Sequence, residues 1–274
     1  MIITERDTEI LKMCLEQKFL LLRQIAKRFF PESGNVYKVP ARRVNLLMKH
    51  GYLRAVKPRV SHETLYLTTS SGVKYLKSLN LSSGLRPLRN VDLKTYEHDV
   101  WVTEVRIIME EAWFEWTSER VLRKEAKRQK VPDGMIFSGD RYSFLVEVER
   151  TLKNKRYYER MFHNNWMHYK DNNGTLFIVG KRTMIQWFQN FEHCERFFYF
   201  ASISDLFDRK IETEFSDKDS DKIIPYRYCD HSLGGPEELG PRFYANEAEY
   251  LRVVEEAKLK RLKKGGAVSD PSGS

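Results

Sequence analysis

The pattern that most constrains the fold lies in residues 4–80, where stretches with helical spacing precede two short strand-like stretches. Thr4 and Asp7 have the spacing of a capping box, which predicts that the first helix begins there. Apolar residues then recur every three to four positions through two stretches, until a turn at 31–34 interrupts the second. We therefore expect three helices followed by a hairpin in this part of the chain.

The third helix, expected over residues 40–50, is both amphipathic and basic. Pro40 suits the first turn of a helix, and Gly51 suits the left-handed conformation that often follows the last turn. The apolar stripe of this helix predicts that Val44, Leu47 and Met48 are buried. Arg42, Arg43 and Lys49 lie outside that stripe.

Two strands, expected at 52–56 and 64–67, are joined by a basic turn. A helix that enters the major groove needs basic or polar side chains on one face and an apolar back face, and the third helix has both. We interpret seven residues of the helix and the turn as DNA-binding: Arg42, Arg43, Asn45, Lys49, Lys57, Arg59 and His62. A three-helix module that binds proteins is the alternative.

Charge favours the first interpretation. The chain of 274 residues has 47 Lys and Arg against 38 Asp and Glu, a net charge of +9. Residues 1–60 contain thirteen Lys and Arg but five acids, so the surplus belongs mainly to this segment. A concentrated positive charge of this kind favours a polyanionic partner such as nucleic acid.

The run 47–53, the basic hairpin and the run 66–76 together resemble the winged-helix superfamily. This resemblance implies an N-terminal winged helix-turn-helix domain and a DNA partner, expected to be double-stranded. Phosphate contacts from its cations would supply affinity, and base contacts from Arg42, Arg43 or Asn45 would supply specificity.

Cysteine usage and hydropathy indicate the compartment. The three cysteines (Cys14, Cys194 and Cys229) have no paired spacing, which argues against a disulfide framework or a zinc site. No apolar run reaches the about 18 residues needed to span a bilayer, and no signal peptide opens the chain. We expect a cytoplasmic protein without a membrane partner.

The second half of the chain alternates strand and helix signals, which predicts a mixed α/β domain. Strands are expected at 113–117, 132–138, 142–149, 174–179 and 197–201, with helices at 93–112, 152–170 and 183–193. The expected domains are 1–80, a linker at 81–92, the mixed domain at 93–207, an extension ending in a basic helix at 208–264, and a disordered tail at 265–274.

Three acids in this mixed domain form a candidate metal site. If 132–138 and 141–149 pair as a hairpin, Asp133 lies opposite Val146 and therefore beside Glu147. Glu147 and Glu149 share one face of their strand, because strand side chains alternate. Clustered carboxylates favour a bound divalent cation, and oxygen ligands suit Mg²⁺ or Mn²⁺. An ordinary hairpin with solvent-facing acids is the alternative.

Pro132-Asp133 and Glu147-Val148-Glu149 resemble the PD-(D/E)xK restriction-endonuclease-like superfamily. The resemblance implies metal ligation by Asp133 and Glu147. Its last position is Glu149 here instead of Lys, so Lys153 or Lys155 would have to supply the lysine. Glu104, which precedes this motif, matches the acidic residue that often lies upstream in the superfamily and is a candidate catalytic acid. His98 and Asp99 also precede the motif, and the sequence leaves open whether they lie beside the site or face water.

The whole order resembles the replication-relaxation family of plasmids and other mobile elements, over about residues 5–205. It comprises the N-terminal module, Glu97-His98-Asp99, Pro-Asp-Gly at 132–134, and Val-Glu-Val-Glu at 146–149. Two hypotheses follow. The protein is a metal-dependent enzyme that nicks or relaxes DNA, with Asp133, Glu147, Glu149, Lys153 and Glu104 in its site. Alternatively, it is a non-catalytic origin-binding or transcription-regulating protein whose second domain is a scaffold or a homodimerisation unit.

Overall fold

The computed structural model describes residues 2–31, 37–59, 61–112, 114–126, 131–138, 142–169, 174–192, 194 and 197–225. The protein is a mixed α+β protein with N-terminal helices and a small antiparallel sheet, followed by a mixed seven-stranded sheet with helices. By internal contacts the chain divides into unit 1, Met1–Glu110 with Trp116–Met135, and unit 2, Glu111–Glu115 with Ile136–Ser274.

Unit 1 begins with helices that surround a three-stranded sheet. Its first elements are α1 (Glu5–Glu16), β1 (Leu20–Leu21), α2 (Leu22–Phe29), α3 (Lys38–Lys49), β2 (Leu53–Val56), β3 (Leu65–Thr68) and α4 (Ser70–Ser78). The sheet order is β1-β3-β2, and both pairings are antiparallel. The second helix, expected before the turn at 31–34, begins only at Leu22, because Leu20 and Leu21 pair with β3.

Local signals set the ends of these helices. The predicted capping box is confirmed, since the Thr4 backbone N–H donates to Asp7 Oδ2 at 2.7 Å and the Thr4 hydroxyl accepts from the Asp7 backbone N–H. Gly51 has a φ of 73°, the left-handed conformation expected after α3. The Thr69 side chain accepts a hydrogen bond from the Gly72 backbone N–H and so caps α4.

All four residues of strand β3 are buried, so both faces of this strand are covered. Tyr66 packs in the core with α1, whereas Leu65 and Leu67 pack in a second cluster with Tyr96 and Val100. The latter two residues belong to α5 (Tyr96–Glu111). A sheet face that would otherwise meet solvent is therefore covered by α5, and contacts group this helix with unit 1 although it follows the linker expected at 81–92.

A buried ion-pair network also ties α5 to the N-terminal helices. Arg106 on α5 lies 2.8 Å from Glu16 of α1 and 2.7 Å from Glu110. Arg28 of α2 reaches Glu110 at 2.9 Å. The pKa of Glu110 is lowered: burial alone would raise it, but the two guanidinium groups outweigh burial. The network stabilises unit 1 only while every charge keeps its partner.

The chain then forms β4 (Glu115–Ser118), α6 (Glu119–Glu125) and β5 (Gly134–Ser138). The division between the units runs through β4 and β5. A Cβ on Gly134 would lie 2.0 Å from a ring carbon of Trp116, so this close approach requires glycine. Helix α6 was not expected from the sequence, because seven residues are too few to show a clear periodicity.

Unit 2 continues with β6 (Tyr142–Glu149), α7 (Lys155–Tyr169), β7 (Gly174–Val179), α8 (Arg182–Gln189), β8 (Phe198–Ser202), α9 (Ile203–Arg209), a 3-10 turn (Lys210–Glu212), β9 (Phe215–Ser216) and β10 (Lys222–Ile223). Strands β6, β7 and β8 are parallel, and β9 and β10 add antiparallel pairings. The larger sheet has the order β10-β9-β8-β7-β6-β5-β4.

The core of unit 2 is aromatic. Tyr158 and Phe162 of α7 are 0% and 1% exposed. They pack with Phe177, Phe188 and Phe198 from the strands and from α8. Helices α7 and α8 are the crossovers between the parallel strands β6, β7 and β8, and this cluster packs them against the sheet.

The expected strands and helices of the second half agree closely with observed ones, whereas helix α9 was not expected. Strands β9 and β10, also not expected, lie in the extension that begins at 208. Each is only two residues long and is recognisable only through its pairing. The predicted basic helix and tail within 226–274 lie outside the described residues. Among the residues described, no helix is long and apolar enough to cross a membrane.

Candidate functional site

One face of α3 presents the side chains that the sequence singled out. Arg42, Asn45 and Lys49 are exposed, while Val44 and Leu47 on the opposite face are fully buried. Between β2 and β3 the predicted cations Lys57 and Arg59 and the neighbouring His62 are also exposed. Six of the seven predicted DNA-binding residues are therefore accessible to a partner.

A concavity of about 670 Å³ lies against this face of α3. The described residues that line it include four cations and no acid: Thr4, Arg6, Phe30, Val39, Arg42, Arg43, Asn45, Leu46 and Lys49. Sequence reasoning missed Arg6 and Val39. Arg6 belongs to α1 and is brought here by the packing of the helices, and its guanidinium lies 4.6 Å from the centre of the Phe30 ring.

Arg43 differs from its neighbours because it is bound within unit 1. Its Nε donates to Asp7 Oδ1 at 2.6 Å, and its Nη2 contacts Asp7 and donates to the Ile2 carbonyl at 3.1 Å. Asp7 is fully buried. The pair joins the start of α1 to α3, so Arg43 positions the exposed face in addition to whatever contact it makes with a partner.

The pH dependence of the stability of an Asp7→Asn variant tests this ion pair. Burial alone raises the pKa of Asp7, but Arg43 and the hydrogen bonds from Thr4 outweigh burial and lower it. The stabilisation is therefore complete above the ordinary pKa of 3.8 and is lost as pH falls through the lower folded-state value. We expect Asp7→Asn to lose about 1–2 kcal/mol at pH 7 and to approach the wild type near pH 2 in chemical denaturation. A pH-independent difference would contradict this assignment.

The two acids on β6 are buried instead of facing solvent. Glu147 and Glu149 are 4% and 2% exposed. The alternating apolar residues on the other face of this strand, Val146 and Val148, are also buried. Burial of two carboxylates on one strand disfavours their ionised forms unless cations lie close. The interpretation of Glu147 and Glu149 as solvent-facing acids is therefore wrong.

Lys153 supplies one such cation. Its Nζ lies 2.9 Å from Glu149 Oε2 and donates to the Tyr157 hydroxyl oxygen at 3.1 Å. Burial lowers the pKa of Lys153, but Glu149 outweighs this effect and the pKa is raised, so the ammonium stays charged. The other candidate, Lys155, lies 4.0 Å from both Glu159 and Glu192. Of the two lysines left open by the sequence, Lys153 is the one that reaches the acidic strand.

The ends of β6 and β7 approach closely beside this group. The Gly180 backbone N–H donates to the Glu149 carbonyl at 2.8 Å. A Cβ on Gly180 would lie 2.2 Å from the Arg150 carbonyl oxygen, so no larger residue fits without moving the backbone. This glycine keeps the end of the acidic strand next to its parallel neighbour.

In unit 1, Asp133 pairs with His98, whose position the sequence left open. His98 Nε2 lies 3.1 Å from Asp133 Oδ2, and Nδ1 lies 3.8 Å from Asp99 Oδ1. Lys18 in turn reaches Asp99 at 2.6 Å. Burial lowers the pKa of His98, but the two aspartates outweigh burial and raise it to about 10. Asp133 therefore has a positively charged neighbour at neutral pH.

Glu104, the predicted upstream acid, is engaged elsewhere in unit 1. It is 7% exposed and pairs with Arg23, accepts a hydrogen bond from Gln24 Nε2 at 3.1 Å, and lies 3.5 Å from Lys27 Nζ. All three partners belong to α2. These contacts account for the buried charge of Glu104 as part of the attachment of α5 to α2.

The predicted site of Asp133, Glu147 and Glu149 has members in both units, since Asp133 belongs to unit 1 and the glutamates to unit 2. Among the described residues, no group of three or more His, Cys, Asp or Glu side chains is arranged to hold a metal ion. Metal ligation by Asp133 and Glu147 stays a prediction. Comparison of the chain with protein-family models, curated proteins and solved structures finds no match.

Proposed function

We propose that this protein binds double-stranded DNA through the exposed face of α3. The observation that carries the proposal is the concavity on that face, whose described lining contains no acid but contains Arg6, Arg42 and Lys49 in addition to Arg43, which is paired with buried Asp7. A surface of one sign attracts a polyanion and steers it into contact. The element order α1-β1-α2-α3-β2-β3, with sheet order β1-β3-β2, supports the assignment of this region to the winged-helix fold, with α3 as its recognition helix.

The cations have distinct roles in this proposal. Arg42 and Lys49 on α3, with Arg6 on α1, contact phosphates or base edges at the groove. Lys57 and Arg59 in the loop after β2 contact phosphates farther along the duplex. Phosphate contacts release condensed counterions, so the affinity depends steeply on salt.

The double substitution Arg42→Ala with Lys49→Ala tests the proposal. We expect it to weaken binding to a mixed-sequence duplex by at least about tenfold at low salt, and to reduce the magnitude of the salt slope by about two. Fluorescence anisotropy over a range of NaCl concentrations measures both quantities. The matched control is Lys74→Ala with Lys77→Ala on α4, which removes the same charge from exposed positions of unit 1. Equal effects in both variants would leave only non-specific attraction and contradict the role of α3.

A second candidate function is metal-dependent nicking of the bound DNA. The favouring observation is the burial of Glu147 and Glu149 on one strand with Lys153 beside Glu149. Carboxylate oxygens are the donors that Mg²⁺ or Mn²⁺ prefers, so Asp133 and Glu147 are of the donor type that the PD-(D/E)xK resemblance implies, although the described residues contain no group of three or more such side chains arranged for a metal. Such an ion, when bound, activates water and stabilises charge on a phosphodiester. Lys153 would orient the water or the phosphate.

In this proposal the protein acts in replication, relaxation or mobilisation of a plasmid or another mobile element. The alternative is an origin-binding or transcription-regulating protein whose second domain is catalytically inert. The presence of Glu149 at the position of the superfamily lysine favours the inert form. The ion pair between Lys153 and Glu149 favours the active form, because it brings a lysine to that position. Both hypotheses include DNA binding, and only DNA cleavage distinguishes them.

A further inference from the structure

The exposed face of α3 contains an apolar residue that the core does not use. Val39 is 45% exposed in the first turn of α3, whereas the core contacts of this helix are made by Val44 and Leu47 on the other side. Val39 lines the same concavity as Arg42 and Asn45. At helical spacing these three residues follow one another along a single stripe. An exposed branched side chain among cations and an amide is unfavourable in water but suits a partner with both apolar and polar groups.

We propose that this stripe reads A·T base pairs in the major groove, with Val39 against a thymine methyl group and Asn45 on an adenine. The inference rests on the proposed function and specifies its ligand. Thymine alone among the four bases has a methyl group in the major groove, and the Asn amide matches the N6 and N7 groups of adenine. Burial of one methyl group against Val39 strengthens binding by about fourfold.

The dimensions of α3 agree with this placement. Val39 and Asn45 are six residues apart, which is about 9 Å along a helix. Because a helix in the major groove is inclined to the duplex axis, this distance spans at most about three base-pair steps of duplex DNA. The recognised thymine and adenine are therefore expected within about three positions of each other. Double-stranded RNA does not satisfy the stripe, since its major groove is too narrow for a helix and uracil lacks the methyl group.

Arg43 positions the stripe but does not itself contribute to base recognition. Its guanidinium is bound to buried Asp7, which fixes the start of α3 relative to α1. Arg42 within the stripe and Lys49 one turn beyond it are cations, and they contribute affinity for phosphates of any sequence. Specificity for A·T pairs is thus assigned to two uncharged residues and affinity to the charged ones.

The experiment uses the full chain and a duplex selected by it from a pool of randomised 20-base-pair duplexes. Each thymine of the selected duplex is replaced in turn by deoxyuridine, which removes only the methyl group. We expect one replacement to weaken binding by about fourfold in the wild type and to have no effect in Val39→Ala. Val39→Thr, which keeps one methyl group, should retain part of the discrimination. Each adenine is likewise replaced in turn with 7-deazaadenine, which removes the N7 acceptor; at one position this should weaken wild-type binding about tenfold and have no effect on the binding of Asn45→Ala.

Circular dichroism checks the fold of the variants, which we expect to be unchanged because Val39 and Asn45 are exposed. A wild type that binds its selected duplex but tolerates deoxyuridine at every thymine overturns the proposal and leaves DNA binding intact. A selected site without thymine, binding without sequence preference, or methyl discrimination that persists in Val39→Ala also overturns it. Absence of any affinity for duplex DNA would instead refute the proposed function itself.

Discussion

Replacing Arg106 with methionine is expected to lower the free energy of unfolding by about 3–5 kcal/mol. Arg106 is 5% exposed and lies within 2.8 Å of two carboxylates, Glu16 and Glu110. Methionine fills a similar volume but removes the charge, so the two acids are left buried with less compensation. Arg28 remains beside Glu110 at 2.9 Å, whereas Glu16 loses the guanidinium that its carboxylate contacts.

Chemical denaturation at pH 7 measures this loss. The matched control is Arg123→Met, which breaks an ion pair with Glu119 but at a position where the arginine side chain is 67% exposed. Exposed pairs of this kind contribute about 0.5 kcal/mol or less. If the two variants lose similar stability, the buried network is not what attaches α5 to α1 and α2, and the apolar contacts beneath α5 would have to account for that attachment.

The same network predicts how acid acts on the protein. Because the pKa of Glu110 is lowered by Arg106 and Arg28, its stabilising effect is present above the ordinary value of 4.5 and is lost as pH falls through the folded-state value. In the Arg106→Met variant this part of the pH dependence should shrink, since one of the two cations that lower the pKa is absent.

Loss of nicking in a Glu147→Gln variant is the largest effect expected on activity. If the protein cleaves supercoiled plasmid DNA with Mg²⁺, removing one charge from the predicted ligand set should reduce the rate by at least about 100-fold. Asp133→Asn should do the same. Both changes preserve side-chain size, so the DNA affinity measured without metal should stay near that of the wild type.

Glu192→Gln is the matched control for nicking, because Glu192 is a 76% exposed glutamate of unit 2. Gel separation of supercoiled and open-circular plasmid follows the reaction. Wild-type rates in both Glu147→Gln and Asp133→Asn would refute the predicted site. A wild type that binds DNA but never nicks it, with Mg²⁺ or with Mn²⁺, would favour the non-catalytic regulator.

Much of the secondary structure follows from short-range signals in the chain. The capping box at Thr4 and Asp7, the left-handed Gly51 and the strand at 142–149 were all predicted, because each depends on residues within one turn or one strand. Helices α6 and α9 and strands β1, β9 and β10 were missed, since none is long enough for its periodicity to be distinctive.

The candidate sites divide in the same way. The exposure of Arg42, Asn45 and Lys49 could be predicted, because the apolar stripe of α3 determines which face points outward. The choice of Lys153 over Lys155 could not, since both follow the strand and only the path of the chain into α7 brings one of them to Glu149.

By itself the sequence determined the order of the longer elements, the basic face of α3 and the acidic character of β6, because local spacing and composition encode these properties. Only the tertiary structure decided that α5 covers β3, that Arg43 is bound to Asp7, and that His98 lies beside Asp133. Each of these contacts joins residues about 30 or more positions apart. Such contacts depend on how several elements pack at once, and no periodicity within a single segment can specify them.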